Sequence, residues 1–141
     1  EDRIAFLETF GEQFFGVSMI KHPVSKPYLQ YFRGLAEVAL PRAMQQCALA
    51  FANTDFRADV EAVNVPTLII HGDSDKTVPA EASSDRTAKM IPHAIYKLYE
   101  GAPHGLFFTD RKKLNQDIID FCRETGSSQT VQSKQSGSVS F

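Results

Sequence analysis

Apolar residues recur at helical spacing through the first 63 residues of the chain. Three stripes share this spacing, each with polar residues on the opposite side: Ile4, Leu7, Phe10 and Phe14; Tyr28, Phe32, Leu35 and Ala39; Met44, Cys47, Ala48 and Phe51. A repeat of three to four residues is typical of amphipathic helices. Ser25 with Pro27 supplies a hydroxyl cap and a first-turn proline for the second helix, and Pro41 opens the third. The pattern predicts several short helices in series.

The apolar pattern changes after residue 63, where two short runs of apolar and β-branched residues indicate strands. These runs are 67–70 and 94–99, and each ends in a turn that contains glycine. The segment between them, residues 80–91, is long enough for one helix. A strand, a crossover helix and a second strand form a parallel unit, whose strands end at the same edge of the sheet.

A last amphipathic helix is predicted after the second strand, with Thr109 or Asp110 as its cap. Its apolar stripe is expected to be buried and consists of Leu114, Ile118, Phe121 and Cys122. From Thr125 onward the residues are small and polar, a composition that cannot bury a core. Residues 125–141 are therefore predicted to be a disordered polar tail.

The turns that follow the two predicted strands carry two aspartates and a histidine: Asp73, Asp75 and His104. A carboxylate can accept one imidazole N–H and stabilise the imidazolium that forms when the other nitrogen takes a proton. Each residue alone has an ordinary structural explanation, since aspartate often stabilises turns and histidine is often a plain surface or core residue. Their convergence at one sheet edge favours an acid and base pair.

Two stretches in these turns, H-G-D-S-D-K-T-V-P and Y-E-G-A-P-H-G-L, resemble the acid and histidine loops of the α/β-hydrolase fold. The resemblance is to the cofactor-free haloperoxidase and aryl-esterase branch. It implies that Asp75 is the acid and His104 the base of a catalytic triad, with Asp73 as the alternative acid. It also implies a serine hydrolase that needs no cofactor or metal and acts on small esters or carboxylic acids.

The resemblance assigns the helical segment, residues 1–63, as a cap over the active site, and residues 64–124 as the C-terminal part of the α/β core. Most phenylalanines of this cap segment are expected to pack inward, and a few to face an apolar substrate cleft. The expected fold class is thus α/β, in the form of a partial α/β-hydrolase fold. The chain begins at Glu1 inside a predicted helix, and we expect it to come from a longer sequence.

A nucleophile is the missing part of the predicted triad. Residues 16–20, G-V-S-M-I, come close to the G-x-S-x-G elbow, but Ile20 replaces the second glycine and no strand precedes Gly16. Ser18 is therefore predicted to lie in an ordinary loop between helices. Two alternatives to a hydrolase fragment stay open: a non-catalytic chain that binds a partner, and a chain that uses another of its serines.

Composition excludes other classes of function. The net charge is −2, and the basic triplet 111–113 stands alone, so no nucleic-acid surface is expected. The two cysteines lack the spacing of a zinc site or disulfide framework, which favours a cytoplasmic location. No apolar run reaches the length of a membrane span. An unpaired sheet edge makes self-association an expected property.

Overall fold

The computed structural model describes the backbone of residues 2–135 and the side chains of residues 2–126. Four helices come first: α1 (Arg3–Phe14), α2 (Lys26–Glu37), α3 (Pro41–Asn53) and α4 (Arg57–Glu61). The Asp2 carboxylate caps α1 by accepting hydrogen bonds from the N–H groups of Ile4 and Ala5. The Ser25 hydroxyl caps α2 by accepting a bond of 3.3 Å from the N–H of Tyr28. The predicted series of short helices is confirmed.

Two parallel strands follow, β1 (Leu68–Gly72) and β2 (Ile95–Tyr99). Their register pairs Leu68 with Ile95 and Gly72 with Tyr99, so both strands end at the same level. The connection contains a short 3₁₀ turn, Ala80–Ala82, and helix α5 (Ser84–Met90). The predicted parallel unit is confirmed, and within the described residues the sheet has these two strands.

The chain continues through α6 (Leu106–Thr109) into the long helix α7 (Arg111–Gln135). Asp117 fixes α7 to β2, because its carboxylate accepts hydrogen bonds from Lys97 Nζ, at 2.6 Å, and from the Tyr99 hydroxyl. Burial, with the bond to Asp117, raises the pKa of Tyr99, while the bond from Lys97 lowers the pKa of Asp117. Both directions are those expected for a charged carboxylate that lies between a cation and a neutral phenol.

The end of α7 differs from the predicted tail. The backbone stays helical through residues 125–135, where the composition indicates disorder. An established helix extends by one hydrogen bond per added residue, so polar residues can continue it without burying a face. The rest of the predicted tail, residues 136–141, lies outside the described residues.

The core lies where the end of α1 and helix α2 meet the turns after the strands. Phe15 has no exposed surface and packs edge-on against Tyr28, Phe32 and Phe108. Gly105, in the histidine loop, lies so close to this ring that an added Cβ would be 2.4 Å from it. This contact fixes the end of α1 beside the histidine loop.

Several apolar residues that the helical pattern predicts to be inside lie on the surface of the chain. In the stripe of α7, Leu114 and Phe121 are half-buried, but Ile118 is 43% exposed and Cys122 is also exposed. In α3, Phe51 is 78% exposed. Among the described residues no element covers these faces. These apolar side chains are therefore exposed, although their spacing predicts that they are buried.

Candidate active site

The turns after β1 and β2 interlock through their backbones. The N–H of Asp73 donates to the Tyr99 carbonyl at 3.0 Å, and the N–H of Ser74 donates to the Ala102 carbonyl at 3.1 Å. Gly72 permits this approach, because a Cβ at its position would lie 2.1 Å from the Ala102 oxygen. The two turns therefore form one rigid unit that carries all three predicted site residues.

Asp75 and His104 form a direct hydrogen bond in this unit. The distance from Asp75 Oδ2 to His104 Nδ1 is 2.7 Å. The Asp75 side chain is only 2% exposed, whereas that of His104 is 34% exposed. An ionised carboxylate can only accept a hydrogen bond, so Nδ1 carries the proton and Nε2 is left as the basic nitrogen. Within residues 2–126 no protein group forms a hydrogen bond with this Nε2.

The second oxygen of Asp75 is held by its own turn. Asp75 Oδ1 accepts hydrogen bonds from the backbone N–H groups of Thr77, at 2.8 Å, and Val78, at 2.9 Å. Such bonds stabilise the charged form of a buried carboxylate and fix its rotation. Because Oδ1 is fixed, the carboxylate cannot rotate freely, and Oδ2 stays directed at His104 Nδ1.

Asp73 has a different position and different partners. Its Oδ1 accepts hydrogen bonds from the Gly101 N–H at 2.7 Å and from the Ser74 hydroxyl at 3.0 Å. Gly101 has a φ of +68°, which glycine adopts readily. Asp73 thus connects the two turns on the exposed side of the unit, and the hydrogen bond to His104 comes from Asp75.

The sequence profile described as "alpha/beta hydrolase fold" matches residues 8–111. The chain belongs to the α/β-hydrolase fold family. A non-heme chloroperoxidase, CPO-A1, from Kitasatospora aureofaciens is 33% identical over 85% of this chain and 44% of its own length. The bifunctional esterase/perhydrolase DCH of Acinetobacter calcoaceticus is 30% identical over 78% of this chain and 40% of its own length.

A solved structure shows the same relationship. The bromoperoxidase from Bacillus anthracis superposes with a TM-score of 0.82 at 42% identity, covering 87% of this chain and 45% of that one. These relatives confirm the resemblance to the haloperoxidase branch. They also confirm a partial fold, because the chain spans less than half the length of the relatives it matches.

His71 lies beside Asp75 in this α/β-hydrolase chain, although no sequence motif indicates a role for it. It lies in β1, one residue before the strand ends, with its side chain 14% exposed. Its Nε2 is 2.8 Å from the Val78 carbonyl oxygen and 3.1 Å from Asp75 Oδ2. The available sequence signal is the spacing of four residues between His71 and Asp75 across the turn.

Phe14 is the second residue whose role the sequence does not indicate. Its ring meets the His104 ring edge-on, with 4.7 Å between centroids. Its carbonyl oxygen accepts a hydrogen bond of 2.7 Å from the Gly105 N–H, next to the histidine. The helical stripe predicts an apolar Phe14, but it gives no information on which loop the end of α1 approaches.

An apolar cavity of about 240 Å³ adjoins the pair. Asp75, His104 and His71 line it together with apolar residues: Ile70, Leu106, Phe107 and Leu114. Ser18, by contrast, lies in the exposed loop after α1, where its hydroxyl accepts a hydrogen bond from the Lys21 N–H. The structure therefore confirms the loop predicted around Ser18.

Within the described part of the chain, no three His, Cys, Asp or Glu side chains lie close enough to hold a metal ion. None of the helices described is both long enough and apolar enough to cross a membrane.

Proposed function

We propose that this chain is the part of a serine hydrolase that carries the triad acid, Asp75, and the triad base, His104. The observation that supports this most directly is the 2.7 Å hydrogen bond from His104 Nδ1 to a buried carboxylate. It leaves Nε2 as the proton acceptor of a histidine that lines an apolar cavity. The names of the relatives, which include chloroperoxidases and an esterase/perhydrolase, support the same branch.

We assign to the pair the proton transfers that accompany the transfer of an acyl group from an ester to a serine. His104 Nε2 accepts the proton of a serine hydroxyl as its oxygen attacks the ester carbonyl carbon, and Asp75 stabilises the imidazolium. The same proton then passes to the leaving alkoxide, which departs as an alcohol. Water attacks the acyl-serine in the second half and returns a carboxylic acid and the free serine. With hydrogen peroxide in place of water, the product is a peroxycarboxylic acid, which can oxidise a halide.

The proposed substrates are small carboxylic esters with an apolar or aromatic group. Leu106 and Phe107 give the cavity an apolar wall, and the Phe14 ring lies against His104. Apolar and aromatic walls with a few placed polar groups are typical of small-molecule sites. A polar or highly charged ester would lose hydration in such a cavity without gaining a partner.

Reconstitution with a nucleophile tests this function. The chain is produced together with the N-terminal segment of a relative that contains a G-x-S-x-G elbow, and hydrolysis of a short aryl ester is measured. We expect saturable turnover from the pair, and from the chain alone no more than the rate of free imidazole. His104→Ala should lower kcat by about 10⁴-fold or more, because it removes the proton acceptor. The exposed His22→Ala is the matched control.

Two outcomes would contradict the proposal. One is a reconstituted pair that binds the elbow segment but shows no turnover. The other is turnover by the chain alone that a serine-directed fluorophosphonate blocks, and in that case Ser18 would be the first residue to substitute.

A cytoplasmic location is proposed with the hydrolase function. Cys47 and Cys122 are free and exposed, which suits a reducing compartment. Fractionation of the source cells tests the location, and recovery of the protein outside the cytoplasm would contradict it.

A further inference from the structure

His71 contacts both ends of the turn that carries the acid. Its Nε2 lies 2.8 Å from the Val78 carbonyl oxygen and 3.1 Å from Asp75 Oδ2. A carbonyl oxygen and a carboxylate oxygen both accept hydrogen bonds and cannot donate them. Nε2 must therefore carry a proton, and the geometry assigns the Nε2–H tautomer to His71. The Val78 carbonyl takes the hydrogen bond, and the same N–H lies beside the carboxylate.

The contact with Val78 completes a closed loop of interactions. Asp75 Oδ1 accepts a hydrogen bond from the Val78 N–H at 2.9 Å, and His71 donates to the carbonyl of the same residue. Val78 is thus held from both sides, once by the acid and once by the histidine. Without His71 this half-buried carbonyl would lose its donor, and the turn could rotate away from β1.

Asp75 Oδ2 is the oxygen that both imidazoles approach. His104 Nδ1 is 2.7 Å from it and His71 Nε2 is 3.1 Å from it. The His71 ring therefore limits where this oxygen can move, and it stabilises negative charge there with a partly positive N–H. A displacement of about 1 Å in a catalytic group can reduce a rate by as much as about 10²-fold.

We propose that His71 is a positioning residue that holds the Asp75 carboxylate and the Val78 carbonyl, so that Oδ2 stays aligned with His104 Nδ1. The contacts belong to this chain as it is, and their effect on turnover rests on the proposed hydrolase function. His71 also lines the cavity beside the pair, and in this proposal its effect on turnover comes through Asp75.

Nitrogen-15 NMR of the four imidazoles in the 141-residue chain tests the contacts without any turnover. We expect His71 to be the Nε2–H tautomer and His104 the Nδ1–H tautomer. His71→Ala should cause His104 to lose its single tautomer. His71→Gln should preserve it, because a glutamine amide places an N–H close to the position of Nε2. The matched control is His93→Ala, since the exposed His93 also has its Nε2 against a carbonyl, that of Val65 at 3.0 Å.

The reconstituted enzyme then tests the effect on catalysis. His71→Ala should lower kcat by about 10-fold to 10²-fold with little change in KM, because positioning of the acid matters most in the transition state. His71→Gln should recover most of this loss, and His93→Ala should retain the wild-type rate. A role of His71 in stability alone would lower the active fraction in proportion to unfolding, and it would leave the His104 tautomer of the folded fraction unchanged.

Three results would overturn the proposal: an Nδ1–H tautomer at His71, an unchanged His104 tautomer in His71→Ala, or a His71→Gln variant as impaired as His71→Ala. If His71→Ala does not fold, the wild-type tautomer of His71 and the His71→Gln variant decide the question. A wild-type pair without turnover would contradict the proposed function, while the NMR measurement would still decide whether His71 positions Asp75.

Discussion

Asp75 and Asp73 are two residues apart and have opposite environments. Asp75 is 6% exposed, and its two oxygens meet two backbone N–H groups and two imidazoles. Asp73 is exposed and accepts from the Gly101 N–H. Only the buried carboxylate can define the tautomer of His104, so the two aspartates should differ sharply when substituted.

Asp75→Asn should cost the reconstituted enzyme about 10⁴-fold in kcat, because the amide can donate where the carboxylate only accepts, which favours the wrong tautomer. Asp73→Asn is the matched control. Its amide oxygen can still accept the hydrogen bond from the Gly101 N–H. We therefore expect kcat to fall by less than about tenfold, which corresponds to roughly the net free energy of one hydrogen bond. Steady-state kinetics on one aryl ester provides the comparison. A larger loss in Asp73→Asn would move the acid assignment to Asp73.

The family resemblance supplies the choice of Asp75 as the acid, and the sequence itself predicts that Asp73, Asp75 and His104 lie together, because all three follow strands that end at the same edge. The sequence does not allow His71 or Phe14 to be predicted as site residues. His71 contacts Val78 only because the acid turn folds back onto β1, and this depends on hydrogen bonds within the turn. Phe14 reaches His104 through tertiary packing of α1, and the period of a helix contains no information about that packing.

Elements are joined by a few specific contacts, and the attachment of α7 to β2 depends on a charge. Asp117 must be ionised to accept from Lys97 Nζ and the Tyr99 hydroxyl together. The hydrogen bond from Lys97 lowers the pKa of Asp117 in the folded chain below its ordinary value of 3.8. The unfolded chain therefore binds more protons than the folded chain as the pH falls through this range.

The stabilisation from Asp117 should be fully present above its ordinary pKa of 3.8 and should disappear as the pH falls through its lower folded pKa. Urea unfolding at pH 6 and at pH 3 measures this. Asp117→Asn should be less stable than wild type at pH 6, and it should lose less stability between the two pH values. Asp120→Asn is the control, because Asp120 accepts from Gln116 on the same helix and, among the residues whose side chains are described, joins no second element. An equal pH dependence in wild type and Asp117→Asn would contradict the argument.

Helices and strands follow from the sequence because periodicity and capping residues are local signals. The caps at Asp2 and Ser25 illustrate this, since each carries the side chain that its helix start requires. The length of α7 does not follow, because a polar composition opposes burial without opposing helical hydrogen bonds. The exposure of Phe51 and Ile118 cannot be predicted from the sequence either. An apolar stripe predicts which face of a helix is apolar, but it does not predict whether another element packs against that face.

The chain as a whole leaves part of its sheet and its last helix open to solvent. Ile95 and Leu98 in β2 are 41% and 48% exposed, and Ile118 and Ile119 in α7 are 43% and 44% exposed. Within the described residues, β1 pairs with β2 alone. Open strand edges and exposed apolar patches favour association with another chain.

We expect the isolated chain to self-associate at micromolar concentrations, and light scattering coupled to size-exclusion chromatography measures this. Leu98→Lys should shift the population toward the monomer, because a charge on the open sheet opposes burial. Met19→Lys is the control, since Met19 is 98% exposed on the loop after α1. A compact monomer in the unmodified chain, or an equal effect of both substitutions, would contradict this expectation.

The contact between α1 and the histidine loop has a consequence for recombination among relatives. Gly16 brings the chain so close to Pro103 that a Cβ would lie 2.9 Å from the proline ring, and Gly105 allows the Phe15 ring to pack against the loop. The end of α1 and the histidine loop therefore have complementary surfaces. When α1 is replaced by the corresponding segment of another α/β-hydrolase, residues 101–108 should be replaced with it. A crossover point between the two segments would separate surfaces that fit each other. His104 should therefore be exchanged together with α1 more than with β2.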